Sequence, residues 1–406
     1  MTELFSQSAA VPKESESPAS QFPDTLPAGS EILVVLLGRI GDVIFTMPSI
    51  LALKNARPDL RIDWVVEDRC SDLLVDHPAL RKVIIFPRRR FQDLRGSGKH
   101  LEALGILWKT VQKIRESKYE AVLDFQALLK SGLLTGLARG KRKLGSPSTY
   151  GHMREGSGLF SSQVPLFDTK AHLVDRHFRV VEELLGFKPR MVPFSYATSD
   201  EEREKVDSAL NEAGWIGDRG EATFILIHPF ASWQTRCWPI DHYTELAMDF
   251  LRAGLGVGVI GGGGESQESV FAEMHSRISS ALPTIEKNRF AAFMGRLTLK
   301  ETGLLMKRSR LVIANDSGPM HLASALGVRT AAIFGPTDPN RLGPYFPETG
   351  LVISKGLECQ PCMKRRCPIG TLCMTELDPK TVFEESFSFM NGGLPESALR
   401  EMSAPC

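Results

Sequence analysis

The sequence predicts an α/β protein built from two open parallel sheets that face each other across a cleft. Short apolar runs, rich in β-branched and aromatic side chains, alternate with stretches of helical spacing. The alternation is broken once by a polar segment and then starts again. Because strands that alternate with helices pair in parallel and are covered on both faces, two such runs predict two sheets of this kind.

The first run of elements covers residues 31–195. Strands are predicted at EILVVLL, RIDWVVE, KVIIF and YEAVLDF, and helices at PSILALKNA and LGILWKTVQKIRES. Residues 1–30, which precede this domain, are rich in Ser, Pro, Ala and Glu and contain no basic region followed by an apolar core. We therefore expect a disordered tail there and not a secretory signal.

The second run covers residues 220–377 and follows a linker at residues 196–219. The segment SYATSDEEREKV, where the linker begins, is polar and charged, and strands are predicted again at ATFILIHP, GLGVGVI, RLVIAND and RTAAIFG. Residues 378–406 end the chain with a predicted helix, PKTVFEESFSFM, and a tail. We expect this helix to pack back across the first domain.

The overall composition is ordinary for a globular protein, with 42% hydrophobic and 24% charged residues in a chain of 406. The formal net charge of +1 gives no reason to expect a nucleic-acid partner. No apolar run approaches the roughly 18 to 20 residues that span a bilayer. The odd number of cysteines, seven, argues against a secreted disulfide framework, so the expected location is the cytoplasm.

The charge is less balanced locally than it is overall. Between Arg88 and Lys118, nine basic residues stand against Asp93, Glu102 and Glu116. Such a segment either meets phosphate or carboxylate groups of a ligand or forms a solvated helix face, and the sequence leaves both interpretations open.

The segment NDSGPMHLASALG contains the clearest candidate binding turn. In open parallel sheets, ligands bind beyond the carboxyl ends of the strands. Here a predicted strand ends at Asp316, and Ser317 and Gly318 precede a helix that starts with Pro319. A helix start with a small residue attracts phosphate, and the serine adds a hydroxyl donor. The alternative is a plain helix cap by Asp or Ser.

Two further turns of the second domain offer polar side chains. In IHPFASWQTRCWP, Arg236 is either a clamp for a diphosphate or an exposed loop arginine. In GLGVGVIGGGGESQES, the pattern G-x-G-x-x-G falls inside the predicted strand, so a dinucleotide-binding oxidoreductase is rejected. The glycines after that strand permit close backbone approach, and Glu265, which follows them, is placed to accept ribose hydroxyls.

Metal binding has little support in the sequence. There is no D-x-D pair of the kind that holds manganese in many sugar-nucleotide enzymes. Four cysteines, at 359, 362, 367 and 373, form the pattern C-x₂-C-x₄-C-x₅-C, which matches no standard zinc module. A zinc or iron–sulfur site there stays an alternative to a structural role.

The segment LLGRIGDVIFTMPSI places a single carboxylate, Asp42, between a strand and a helix. Two glycines precede Asp42, and no basic residue follows it directly. The side chain is either a catalytic group at the mouth of the first sheet or a cap of the helix that follows.

Five segments in this order resemble the family 9 glycosyltransferases, the ADP-heptose:lipopolysaccharide heptosyltransferases. They are GRIGDVIFTMPSI, RIDWVVED, DFQALLKSG, HPFASWQTRCWP and NDSGPMHLASALG followed by AAIFGPTDP. The similarity extends from about Ile32 to near Cys373, and the pairing of WVVE with DFQALLKSG is most like the heptosyltransferase I branch. The resemblance implies a GT-B fold of two Rossmann-like domains, with the acceptor on the first and ADP-heptose on the second.

The resemblance also implies a role for individual residues. Asp42 matches the general base, and Asp316 matches the residue that holds hydroxyls of the donor sugar. Arg236 stands where heptosyltransferase I has a lysine. The donor residues implied in this way are Ser232, Arg236, Glu265, Leu297, Asp316, Ser317, Gly318 and His321. The acceptor residues, which would meet lipid A phosphates and Kdo carboxylates, are Arg88, Arg89, Arg90, Gln126 and Lys130.

The function that the resemblance implies is inverting, metal-independent transfer of heptose from ADP-heptose to Kdo-lipid A, with no cofactor. The expected location is the cytoplasmic side of the inner membrane, with peripheral association. Two alternatives stay open: a family 9 transferase that uses the second core heptose position or a protein as acceptor, and a nucleotide-sugar-binding protein without turnover. The oligomeric state is left open.

Overall fold

The structure, a computed structural model, consists of two six-stranded parallel sheets with helices around them. It describes residues 26–146, 156–164, 170–215 and 223–393. The parts of the predicted tails and linker that lie outside the described residues are 1–25, 216–219 and 394–406.

The first sheet is formed by strands from the first part of the chain. They are β1 (Glu31–Val35), β2 (Arg61–Glu67), β3 (Lys82–Phe86), β4 (Tyr119–Asp124), β5 (Gly140–Gly145) and β6 (Ser162–Gln163). Their order is β3-β2-β1-β4-β5-β6, and neighbouring strands are parallel.

The second sheet repeats this arrangement. Its strands are β7 (Phe224–His228), β8 (Gly256–Val259), β9 (Phe290–Ala292), β10 (Val312–Asn315), β11 (Thr330–Phe334) and β12 (Gly350–Ser354). Their order is β9-β8-β7-β10-β11-β12, again with parallel neighbours. In each sheet the order of the strands therefore reverses between the first and the fourth strand of that sheet. Ligands bind at such points.

The helices of the described residues connect these strands. They are α1 (Ile40–Ala56), α2 (Arg88–Gly96), α3 (His100–Arg115), α4 (Leu129–Leu137), α5 (Leu173–Leu185), α6 (Asp200–Ala213), α7 (Ile240–Arg252), α8 (Glu265–Ala281), α9 (Thr284–Lys287), α10 (Leu299–Arg308), α11 (Gly318–Ala325), α12 (Pro339–Leu342), α13 (Leu372–Thr375) and α14 (Pro379–Met390). None of these helices is both long enough and apolar enough to cross a membrane.

Strand β1 is apolar from Ile32 to Val35 because both of its faces are buried. Ile32 and Val34 pack into one core cluster with Met47 of α1, whereas Leu33 and Val35 pack into a second cluster on the other face of the sheet. A strand that is buried on both faces has no polar side to display. Helix α1 is equally enclosed, because every residue from 43 to 53 is buried.

The two halves of the protein meet where α1 and α11 begin. A Cβ on Gly41 would lie 2.7 Å from the ring of His321, and a Cβ on Gly318 would lie 3.3 Å from Ile40. The glycines therefore allow the helix after β1 to contact the helix after β10. As a result, the carboxyl ends of the central strands of the two sheets face one another.

The predicted strands of both halves are all present, while β5, β6, β9 and β12 were not predicted. Helix α14 differs from the prediction in where it packs. It lies on α7 and β12 of the second half, with Phe383 and Phe387 against Phe250, and not across the first half. Its apolar residues complete the core of the second sheet.

Candidate active site

Asp42 lies in the first turn of α1, just beyond the carboxyl end of β1. The side chain is partly buried. Burial raises the pKa of its carboxyl from 3.8 to about 6, although the nearby Arg39, His321 and Lys130 act in the opposite direction. The carboxyl is therefore mostly ionised at pH 7 and takes up a proton near pH 6.

Asp42 does not cap its helix. The N-cap residue of α1 is Arg39, and no side chain bonds to the free N–H groups there. Among the described residues, the Asp42 carboxylate makes no hydrogen bond and no ion pair. Arg39 has a φ angle of 77°, a strained backbone of the kind that gathers at functional sites. The position favours a chemical role for Asp42 over a role as helix cap.

Asp316 lies opposite, directly after β10, and is almost completely buried. Its Oδ2 lies 3.1 Å from Arg236 Nη1, and its Oδ1 lies 3.4 Å from His321 Nε2. Burial opposes ionisation of this carboxyl, but His321 and Arg236 hold its pKa below the usual value. Asp316 is thus a fixed negative charge, and His321 stands between it and Asp42.

Ser317 is the N-cap residue of α11, yet its side chain does not cap the helix. Its Oγ shares a hydrogen bond of 3.1 Å with His228 Nδ1 at the end of β7. Burial lowers the pKa of His228 to about 4, so this imidazole is neutral at pH 7. The Ser317 side chain therefore leaves the first N–H groups of α11 uncapped, and such groups attract anions.

Arg236 is held firmly at this turn. It ends a short 3₁₀ turn, Gln234–Arg236, and its guanidinium lies 3.9 Å from the ring centre of Trp233. The guanidinium is mostly buried in its ion pair with Asp316. The interpretation of Arg236 as an exposed loop arginine is therefore wrong.

The remaining donor residues lie on neighbouring turns of the second sheet. Ser232 is exposed, and Glu265 is the exposed first residue of α8. A Cβ on Gly263 would lie 2.8 Å from Gly295 Cα, so the turns after β8 and β9 touch. Leu297 follows on the second of these turns and packs against the core. The donor role of these three side chains stays a prediction.

Glu67 is a site residue that the sequence did not single out. It ends β2, is 1% exposed, and receives three cations: Arg69 at 3.0 Å, Arg88 at 2.6 Å and Lys130 at 2.9 Å. Burial opposes its ionisation, but Lys130, Arg88 and Arg69 lower its pKa overall. A Cβ on Gly38, just before α1, would lie 2.9 Å from this carboxylate. Glu67 therefore gathers positive charge beside the turn that carries Asp42.

The other predicted acceptor residues divide into two groups. Gln126 accepts a hydrogen bond of 3.3 Å from the backbone N–H of Leu37 and so ties the turn after β4 to the turn after β1. Arg89 and Arg90 are exposed on the first turn of α2, and within the described residues neither forms an ion pair with Glu67. Arg88 and Lys130 thus lie together, whereas Arg89 and Arg90 do not join them.

Asp124, at the end of β4, is a structural residue. Its carboxylate accepts hydrogen bonds from the backbone N–H groups of Gln126 and Ala127 and from Ser131 Oγ. Burial raises its pKa to about 6 despite these bonds. With its oxygens occupied in this way, Asp124 holds the turn that carries Gln126 and the start of α4.

The four clustered cysteines lie beside the second sheet, where they line one small pocket with Thr235 and Leu357. Cys359, Cys362, Cys367 and Cys373 are all free thiols. Burial raises the pKa of Cys373 to about 11. Across the described residues, no group of three or more His, Cys, Asp or Glu side chains is arranged to hold a metal ion.

Comparison with known proteins identifies a family. A model of glycosyltransferase family 9 (heptosyltransferase) matches residues 107–372, which is more than half of the chain. Lipopolysaccharide heptosyltransferase 1 of Pseudomonas aeruginosa is 27% identical over 385 residues, 86% of this chain and 95% of the relative. The enzyme of the same name from Escherichia coli K12 is 24% identical over 316 residues, 77% of this chain and 90% of the relative.

Solved structures share the fold. A family 9 glycosyl transferase from Veillonella parvula superposes with a TM-score of 0.71 at 19% identity, covering 91% of this chain and 99% of that one. E. coli heptosyltransferase WaaC, solved with ADP, gives a TM-score of 0.66 at 22% identity, with 87% and 98% covered. The predicted GT-B type architecture is confirmed.

Proposed function

The chain belongs to glycosyltransferase family 9, and from that premise we propose that it transfers L-glycero-D-manno-heptose from ADP-heptose to Kdo-lipid A, with inversion and without a metal ion. The chain is a glycosyltransferase, and its relatives place it among the heptosyltransferases of the lipopolysaccharide core. The observation that carries the finer proposal is the carboxylate of Asp42, which makes no hydrogen bond or ion pair within the described residues and lies close to His321, the neighbour of Asp316.

In the proposed reaction, Asp42 is the general base. An acceptor hydroxyl attacks the anomeric carbon of the heptose, and its proton passes to the Asp42 carboxylate. The bond from the anomeric carbon to the β-phosphate oxygen breaks, and its electron pair leaves with ADP. One displacement from the opposite side inverts the anomeric configuration. A base with a pKa near 6 is ionised at pH 7 to 8 and still accepts a proton effectively.

The donor is proposed to lie on the second half, residues 220–377. The first N–H groups of α11, at Ser317 and Gly318, and the guanidinium of Arg236 supply positive charge for the diphosphate. Asp316 is fixed by Arg236 and His321, and its oxygens make no well-directed hydrogen bond among the described residues, so they are suited to accept sugar hydroxyls. These groups supply the charge that a metal ion provides in other transferases.

The acceptor is proposed to lie on the first half, residues 31–195. Glu67 holds Arg69, Arg88 and Lys130 in fixed positions, and the remaining N–H groups of these cations are available to carboxylates and phosphates. Kdo-lipid A carries both kinds of anion. An acceptor of this kind lies in a membrane, and we propose that the enzyme works from the cytoplasm at the inner membrane.

The proposal is tested by measuring release of ADP from ADP-heptose in the presence of EDTA, with and without Kdo₂-lipid A. We expect release to depend on the acceptor, to continue in EDTA, and to yield one product whose anomeric configuration, read by NMR, is opposite to that of the donor. A strict requirement for magnesium or manganese, or a product with retained configuration, would refute the mechanism.

A further inference from the structure

The surface formed by helices α3 and α4 exposes an unusual amount of apolar side chain. Most of the large apolar residues that are exposed in the described parts of the chain lie between Ile85 and Leu159. On α3, Leu101 is 84% exposed, Leu104 57% and Trp108 62%. On α4, Leu133 and Leu137 are each 42% exposed. Exposed apolar residues that cluster in this way mark a binding surface.

These residues form two neighbouring rows. Leu101, Leu104 and Trp108 are spaced by three and four residues and so lie on one side of α3, while Val111 and Ile114 pack against the first sheet. Leu133 and Leu137 are four residues apart on the exposed side of α4. The helices pack together, and Arg115 Nη1 donates a hydrogen bond of 3.3 Å to the carbonyl of Leu137. We name this surface the α3–α4 face.

The α3–α4 face is surrounded by positive charge. From residue 88 to residue 115 the chain has eight Lys or Arg residues against two acidic ones, Asp93 and Glu102. Lys109 and Lys113 are exposed on α3, and Arg89 and Arg90 are exposed on α2. A helix with Leu and Trp on one side and lysines beside them is the pattern that binds at the surface of an anionic bilayer.

We propose that the α3–α4 face docks on an anionic lipid bilayer, with Leu101, Leu104 and Trp108 inserted among the acyl chains. A second copy of this chain fits less well, because a symmetric contact through this face would set Lys109 and Lys113 against like charges. The inference deepens the proposed function and rests on it in one respect: the acceptor proposed above is itself a lipid.

Docking in this orientation serves the site as well. Arg88 is the first residue of α2, and Lys130 lies in the first turn of α4. Both hold Glu67, close to the turn of Asp42. A bilayer that contacts the α3–α4 face therefore brings the head group of a membrane-bound acceptor toward these cations.

The chain carries its own reporter of insertion. Of its five tryptophans, Trp108 is the exposed one, since Trp64, Trp215, Trp233 and Trp238 are all buried. The test uses vesicles of phosphatidylethanolamine and phosphatidylglycerol, with neither donor nor acceptor present. Tryptophan emission is recorded with ordinary lipids and with lipids brominated on the acyl chains, and binding is followed by flotation.

We expect the emission to shift to the blue and to be quenched by the brominated lipids. The double variant Leu101→Ser and Leu104→Ser, which keeps Trp108, should bind at least tenfold more weakly. The matched control, Phe187→Ser with Ile285→Ser, removes two apolar residues that are also more than half exposed but lie outside the face, and it should bind as the wild type does. Transfer to a water-soluble acceptor without acyl chains should be unchanged in both variants.

Three results would overturn the inference. The first is binding that disappears in 0.5 M salt without any quenching by brominated lipid, because this would show contact through charge alone. The second is wild-type vesicle binding by the Leu101→Ser and Leu104→Ser variant. The third is a smaller sedimentation mass of this variant with unchanged vesicle binding, which would show that a second copy occupies the face. None of these readouts depends on turnover, so they separate this inference from the proposed reaction.

Discussion

Replacing Asp42 with Asn removes the proposed base and leaves a side chain of the same size. Positioned proton transfer contributes about 10²- to 10⁴-fold to a rate, so kcat should fall by roughly that factor while the KM for ADP-heptose stays unchanged. The wild-type profile of kcat/KM against pH should rise with an apparent pKa near 6, because the base must lose its proton to act. The Asn variant should lose this limb.

The same substitution should also stabilise the protein at alkaline pH. The pKa of Asp42 is 3.8 in the unfolded chain and about 6 in the folded one, which corresponds to about 3 kcal/mol against ionisation in the folded state. Because the side chain is partly exposed and solvent screens its charge, we expect the free energy of unfolding to be lowered by only about 1 to 2 kcal/mol. The cost is absent below pH 4, grows between pH 4 and 6, and is complete above pH 6.

The two assays are coupled ADP release and thermal unfolding at pH 5 and pH 8. The Asn variant should be slow at both pH values and should have a higher melting temperature than the wild type at pH 8, with a smaller difference at pH 5. A near-wild-type rate would refute the role of Asp42. His321 would then be the next candidate. The lowered pKa of Asp316 makes that carboxylate a weak base, and the carboxylate oxygens of Asp124 are already occupied by hydrogen bonds.

Three further substitutions test the surroundings of the site. Glu67→Gln should raise the KM for the acceptor about tenfold and leave the KM for ADP-heptose unchanged, because Arg69, Arg88 and Lys130 lose their common ion-pair partner. A raised KM for ADP-heptose would show that the donor and the acceptor are assigned to the wrong halves. Arg236→Ala should cost about 2 to 4 kcal/mol in the free energy of binding ADP-heptose, read from its KM. The activity of the wild-type protein should persist in EDTA. A normal KM for ADP-heptose in the Arg236→Ala variant would contradict the role of Arg236. Replacing all four clustered cysteines with serine should lower the melting temperature and change kcat little. A metal ion bound to the wild-type protein and lost, together with activity, in this variant would contradict this.

The fold was accessible from the sequence where local patterns decide it. β1 is apolar from Ile32 to Val35 and β10 from Val312 to Ala314, because both faces of these strands are buried, and polar turns follow both strands in the sequence. Strands without an apolar pattern could not be predicted in this way. β5 reads GKRKLG and is largely polar, and it is a strand because β4 and β6 pair with it. Such pairing is a tertiary effect with no local signal.

Only part of the candidate site could be predicted from the sequence. Asp42 and Asp316 follow central strands, so their position could be predicted from the order of elements. Glu67 could not be found in the same way, because Arg69, Arg88 and Lys130 reach it from three different elements, up to 63 residues away. The sequence also left open whether Asp42 caps its helix, which depends on where α1 begins and not on the residue type.

The most direct test of the central claim is the mass that an acceptor gains. Purified protein is incubated with ADP-heptose and either Kdo₂-lipid A or heptosyl-Kdo₂-lipid A, and the products are examined by mass spectrometry. We predict that Kdo₂-lipid A gains one heptose and that the heptosylated acceptor gains none. Transfer to heptosyl-Kdo₂-lipid A alone, or to neither lipid, would contradict the proposed function.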